Sequence, residues 1–245
     1  MPPAPQLTGV VLDRASVTLT GRPILHPLTL HLTEARIGIL GRNGSGKTTL
    51  LRLIAGLIPA TGGTVRVDGI DPATDRKAAL AGLGILFQNP DHQILFPTVE
   101  EELAFGLRQQ GRDQPGALAA ARAALAAEDR GHWATAPVSS LSQGQRHYLC
   151  LLSVLLMQPR TILLDEPLAG LDLPTQARLS RRFAMLPQRL ITITHDPATL
   201  ADTDRILWLE AGRIAADGPP DQVIPAFTAE MARIGARDAD THLPG

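Results

Sequence analysis

Gly41-Arg42-Asn43-Gly44-Ser45-Gly46-Lys47-Thr48 decides how the rest of the chain is read. It matches G-x-x-x-x-G-K-[ST], a loop whose backbone N–H groups turn inward around phosphate oxygens. Glycines permit that turn where bulkier side chains would block it. Upstream, Arg36-Ile37-Gly38-Ile39-Leu40 has the pattern of a buried strand. Downstream, Thr49-Leu50-Leu51-Arg52-Leu53-Ile54-Ala55 carries apolar residues at helical spacing. The loop therefore falls at a strand-to-helix junction, where the helix start adds unpaired N–H groups and a positive dipole end. Gly41, Asn43, Gly44, Ser45, Gly46, Lys47, Thr48 and Thr49 are the candidate nucleotide-binding residues. Lys47 offers a mobile charge to the outer phosphates, and Thr48 a hydroxyl to Mg²⁺. The bland alternative is a Gly-rich turn with an exposed lysine. With only two lysines in the chain against twenty-one arginines, a chance match is remote. ATP and Mg²⁺ are the expected cofactors.

Composition limits what surrounds this loop. The chain has 245 residues, 44% hydrophobic and 19% charged, which allows a sizeable core. A net charge of −1 argues against broad electrostatic binding to nucleic acid or an anionic membrane. No apolar run approaches the roughly 18 residues of a membrane span. The Pro-rich start, residues 1–6, is expected to be a disordered lead and not a signal peptide. Cys150 is the only cysteine, so no internal disulfide forms, which fits a reducing compartment. Seven histidines show no paired metal-ligand spacing, so no zinc site is expected.

Taken in order, residues 7–19 and 24–32 suggest an antiparallel hairpin turning at Gly21-Arg22-Pro23. Short strands are expected at 64–67 and 83–87. Helices are expected from Thr98, placed to cap a first turn rich in glutamate, and over 117–127 after a loop at 111–116. Residues 88–157 read as a helical subdomain inserted in the core. Strands at 161–164 and 189–194, a helix at 174–185 and a hairpin at 205–216 follow. A terminal helix at 223–234 is expected to break near Pro225, and residues 236–245 form a polar tail expected to be flexible. Alternating strands and helices imply a largely parallel sheet. The expected fold class is α/β: a phosphate-loop NTPase core with an antiparallel β subdomain and the inserted helical subdomain, in one domain over 7–235.

Two further stretches carry chemistry. Ile162-Leu163-Leu164-Asp165-Glu166-Pro167 is a buried strand ending in two acids, at the sheet edge where α/β folds bind ligands. Asp165 suits Mg²⁺, and Glu166 suits orienting or deprotonating an attacking water. Leu141-Ser142-Gln143-Gly144-Gln145 opens an apolar helix. Ser142 with Gln145 three residues later is a capping box, complete as a structural device. The same helix start could instead meet a γ-phosphate, its own or a partner's.

In this order and over residues 7–225, these motifs resemble the ATP-binding subunits of ATP-binding-cassette (ABC) transporters. The resemblance adds the loop Leu168-Ala169-Gly170-Leu171-Asp172 and a switch histidine, His195. It implies a head-to-tail dimer in which Ser142, Gln143, Gly144 and Gln145 act in trans, with Asp172 in a dimer loop. It casts His195 as a γ-phosphate contact supporting Glu166, and Gln88 as a contact to Mg²⁺ and water. Residues 94–106 are similar to the energy-coupling-factor subgroup, importers of vitamins and transition-metal ions. There the exposed apolar residues would form the groove for a coupling helix. Glu34-Ala35-Arg36-Ile37-Gly38-Ile39 and Gln145-Arg146-His147-Tyr148-Leu149 look most like biotin-uptake ATPases, with cobalt or nickel uptake second.

The implied partners are a second cassette, expected to be a copy of this chain, an integral membrane coupling protein and a substrate-binding membrane component, on the cytoplasmic face and without nucleic acid. A soluble cassette acting on nucleic acid or ribosomes is the alternative. The sequence departs from the family pattern twice. No aromatic precedes Phe87, so Leu19 or Thr20 stands where adenine would stack, and similar affinities for ATP and GTP are expected. Gln143 replaces the commoner glycine.

Overall fold

The computed structural model describes residues 9–236. The expected lead at 1–6 and the tail beyond residue 236 lie outside the described residues. Two compact units make up the chain: residues 1–73 with 190–245, and residues 74–189.

The first unit begins with β1 (Val10–Leu19) and β2 (Arg22–Leu32), antiparallel from Val10 opposite Leu32 to Leu19 opposite Arg22. Alternating burial along β1 follows its alternating sequence. β4 (Gly62–Val67) adds to the other side of β1, giving the order β2-β1-β4. The second sheet region is built on β3 (Arg36–Leu40), buried from Ile37 onward. β3 runs parallel to both β7 (Arg189–Thr194) and β8 (Arg205–Glu210), so it is covered on both edges. Its unbroken apolar run is what that position requires. β9 (Arg213–Gly218) returns antiparallel along β8.

α1 (Lys47–Ile54) follows β3 through the phosphate loop. α7 (Pro220–Gly235) closes the unit and runs through Pro225 without the expected break. Pro225 lacks the N–H that would bond one turn back. Val223 and Phe227, on either side of it, pack into a core with Leu40, Leu200 and Ile206, and that burial holds the helix continuous.

In the second unit, β5 (Leu83–Leu86) and β6 (Thr161–Asp165) pair in parallel, Leu86 opposite Leu164. α2 (Arg76–Gly82) precedes them, capped by Asp75, whose carboxylate accepts from Ala78 N. α3 (Val99–Gln109), α4 (Gln114–Ala127) and α5 (Gln143–Leu156) form the helical part, and α6 (Leu173–Ala184) follows β6. α4 starts inside the expected 111–116 loop because Pro115 suits a first helical turn. Thr98 stands at the N-cap of α3 but makes no side-chain cap bond. Its hydroxyl donates instead to Glu101. Among the described residues no helix is long and apolar enough to cross a membrane.

Candidate functional site

In the first unit, Gly44 (φ 79°) and Gly46 (φ 105°) take left-handed backbone angles that favour glycine, and Gly46 stands at the N-cap of α1 without any side-chain cap. The loop is held tightly from behind. A Cβ on Gly46 would lie 2.9 Å from Leu25, and one on Gly41 2.3 Å from the Leu209 carbonyl. The β8–β9 turn clamps it too. Gly212 N donates to Ser45 O at 2.9 Å, and His26 N donates to Gly212 O at 3.0 Å, joining loop, turn and β2.

Lys47 is only 7% exposed, and its Nζ donates to Gly41 O (2.7 Å) and Arg42 O (2.9 Å). The charge is thus folded over the mouth of its own loop, on carbonyls that a phosphate oxygen could replace. The Ser45 hydroxyl is buried and has no hydrogen-bond partner. An orphaned polar atom in a glycine-lined cradle fits a phosphate group. Asn43 and Thr48 are exposed, and Thr49 is half-buried. In the parallel register Leu40 lies opposite Thr194. Gly41 and the exposed His195 therefore leave neighbouring strands at the same carboxyl edge.

In the second unit, Leu86 lies opposite Leu164, so Gln88 and the Asp165-Glu166 pair also follow one carboxyl edge. Asp165 and Glu166 are 8% and 9% exposed, and Glu166 has φ 48°, uncommon for a residue with a Cβ. Backbone strain of this sort collects where a side chain must point in one direction. Ser142 forms the expected capping box on α5: its hydroxyl accepts from Gln145 N, and Gln145 Oε1 accepts from Ser142 N at 2.7 Å.

Asp172 caps α6 by accepting from Thr175 N at 2.8 Å, and the hydrogen bonds from Thr175 hold its carboxyl below the usual carboxylate range. Gln176 Nε2 donates to the carbonyls of Leu168 and Leu171, which fixes the loop before α6. A Cβ on Gly144 would lie 2.9 Å from Thr175, so the α5 and α6 starts meet only because residue 144 is glycine. The structure thus groups Ser142, Gln143, Gly144 and Gln145 with the 168–172 loop.

Sequence reasoning gave no role to His147 or Gly212. His147 Nε2 lies 3.1 Å from Gln88 O and Nδ1 3.3 Å from Gln143 O. Burial lowers its pKa, against the raising effect of those two carbonyls. The only available signals were a histidine inside an apolar helix and a glycine in a hairpin turn.

A cavity of about 590 Å³ opens in the same unit, lined by Leu80, Phe87, Leu95, Phe105, Val154 and Met157 among others. Leu95 is 68% exposed at its rim. Buried Glu102 shapes that rim by accepting from Leu95 N (2.8 Å) and Phe96 N (3.0 Å).

Among the described residues no group of three or more His, Cys, Asp or Glu side chains could hold a metal ion. Magnesium does not need such a cluster, since it is bound through one or two carboxylates plus substrate phosphates and water. Thr48 in the first unit, and Gln88 and Asp165 in the second, each offer the kind of hard oxygen donor that this ion takes.

Comparison with known proteins follows the same lines. The family model described as "ABC transporter" matches residues 25–169. The biotin transport ATP-binding protein BioM of Rhodobacter capsulatus is 53% identical over 230 residues, 92% of this chain and 98% of that one. The energy-coupling factor transporter ATP-binding protein EcfA1 of Ligilactobacillus salivarius is 36% identical over 82% of this chain and 73% of that one. The solved structure of cbiO1 from Clostridium perfringens superimposes with a TM-score of 0.75 at 24% identity, over 94% of this chain and 96% of that one.

Proposed function

Because the chain belongs to the ABC transporter family, as one of the ATP-binding subunits that hydrolyse ATP to drive transport, we propose that it powers a micronutrient importer of the energy-coupling-factor type, with biotin as cargo. The observation that carries the coupling half of this reading is the apolar cavity with exposed Leu95 at its rim. Its size and lining suit a short apolar helix of an integral membrane protein. The likeness to the biotin transport protein of R. capsulatus supports the cargo. Cobalt or nickel is the second candidate.

In this reading the chain works at the cytoplasmic membrane face as a dimer of cassettes. Lys47 leaves the carbonyls of Gly41 and Arg42 for the outer phosphates, and Gly41, Asn43, Gly44, Ser45, Gly46 and Thr49 line the cradle. Thr48, Gln88 and Asp165 would hold Mg²⁺, which when bound neutralises charge on the phosphate oxygens. Glu166 accepts a proton from the water whose oxygen attacks the γ-phosphorus while the β–γ bridging bond breaks. His195 steadies the γ-phosphate. Ser142, Gln143, Gly144 and Gln145 close over the other subunit's nucleotide, and Asp172 lies in the loop between subunits.

Tagged chain expressed in its native cells and extracted from their membranes in detergent should carry an integral membrane protein with it, and Leu95→Asp should lose that protein. Recovery of soluble partners alone would refute the coupling role. Uptake of labelled biotin against labelled cobalt by the same cells separates the two cargoes.

A further inference from the structure

We propose that His147 is a positioning residue that ties the Gln88 loop to the first turn of α5, so that the two move as one piece. Its ring is 1% exposed and wedged between two carbonyls, those of Gln88 and Gln143. The carbonyl of Gln143 belongs to the helix ladder, where it accepts the backbone N–H four residues on, that of His147 itself. A neutral imidazole has a single N–H. That proton goes to the shorter contact, Nε2–H to Gln88 O, a carbonyl that lies outside any helix or strand. The assignment fixes the tautomer, since the other nitrogen is left facing the helix.

A second strap lies alongside. Arg146 Nε is 3.6 Å from Asp91, and Asp91 N donates to Asn89 Oδ1 at 2.9 Å within the same turn. Adjacent residues of α5 thus hold both ends of the stretch from Gln88 to Asp91. The start of α5 is in turn seated on α6 through Gly144 and Thr175. This inference rests on the proposed roles of Gln88 and Ser142–Gln145. If Gln88 stands at the chain's own nucleotide and Ser142 at its partner's, the imidazole is a direct mechanical link between the two sites.

The test is steady-state ATP hydrolysis by the purified full-length chain and its His147→Gln, His147→Asn and His147→Leu variants, each with a thermal melt. The Gln amide can place an N–H near the Nε2 position, whereas the Asn amide reaches only the Nδ1 position. His147→Gln is expected to keep at least about a third of kcat, while the Asn and Leu variants lose roughly tenfold or more with KM for ATP within about threefold. Equal kcat in the Gln and Asn variants, or a loss confined to KM, overturns the assignment.

Should the variants unfold, histidine ¹⁵N spectra of the wild-type chain decide. A buried Nε2–H tautomer whose resonance shifts on adding the Mg²⁺ complex of a non-hydrolysable ATP analogue is expected. An Nδ1–H tautomer, or one indifferent to nucleotide, overturns it. A wild-type chain without turnover strikes at the motor reading, whereas an active wild type with indifferent variants strikes at His147 alone.

Discussion

At Cys150, burial pushes the thiol up to about 12, with Glu102 and Asp91 adding to the effect. The neighbouring Tyr148 is also pushed up to about 12, by burial and by its hydrogen bond to Glu128. Both groups are neutral in the fold and would ionise earlier in the unfolded chain, Cys near 8.5 and Tyr near 10. Above those values the unfolded state binds fewer protons than the folded one, so stability falls as pH rises. Thermal melts between pH 8 and pH 11 should therefore show a falling midpoint. At pH 8 only about one thiol in ten thousand is ionised, so the native chain should not react with a thiol reagent until denaturant is added. Rapid native reaction of one equivalent would show that Cys150 is not enclosed.

The residue scale also shows what local sequence can and cannot foretell. Lys47 was singled out by the motif, which fixes it by position, but its bonds to Gly41 O and Arg42 O follow from how the loop closes. Thr98 was legible as an N-cap. A carboxylate three residues on took its hydroxyl instead.

Among the elements, the β8–β9 turn is worth more than its length suggests. Gly212 has φ 70°, and a Cβ there would lie 2.2 Å from the Ile24 carbonyl. Gly69 has φ 81° with open space around it. Both would suffer the backbone strain of about 1–3 kcal/mol on substitution by alanine, but only Gly212 adds a collision with main chain. Gly212→Ala should therefore lower the denaturation midpoint well beyond Gly69→Ala. It should also weaken ATP binding, because its N–H holds Ser45 O in the phosphate loop. Matching melts for the two variants would remove the turn from that role.

Elements with strong periodicity or caps, such as β3, α1 and α5, were visible in the sequence. α2 was not, because seven residues with two buried leave little pattern to detect. α7 differed because long-range burial of Val223 and Phe227 outweighs one missing hydrogen bond at Pro225.

For the whole molecule, the proposed dimer makes turnover depend on a second copy. Glu166→Gln keeps the shape of the side chain and removes the proton acceptor. It should bind ATP, lose at least about a hundredfold in kcat, and accumulate as a dimer on light scattering with ATP and Mg²⁺. A variant that turns over at the wild-type rate removes Glu166 from its role. One that stays monomeric with ATP bound argues against closure of two cassettes.

Sequence by itself determined the chemistry on offer: the phosphate loop at a strand-to-helix junction, the acids after a buried strand, and the capping box. These are contiguous patterns, and backbone geometry acts on neighbours within a few residues. Only the tertiary structure decided that His147 meets Gln88, 59 positions away, that Gly212 locks the phosphate loop, and that Leu80, Leu95 and Met157 share one cavity. Such contacts depend on which helix faces pack together, and packing is settled by burial summed over the whole unit, which no short stretch encodes.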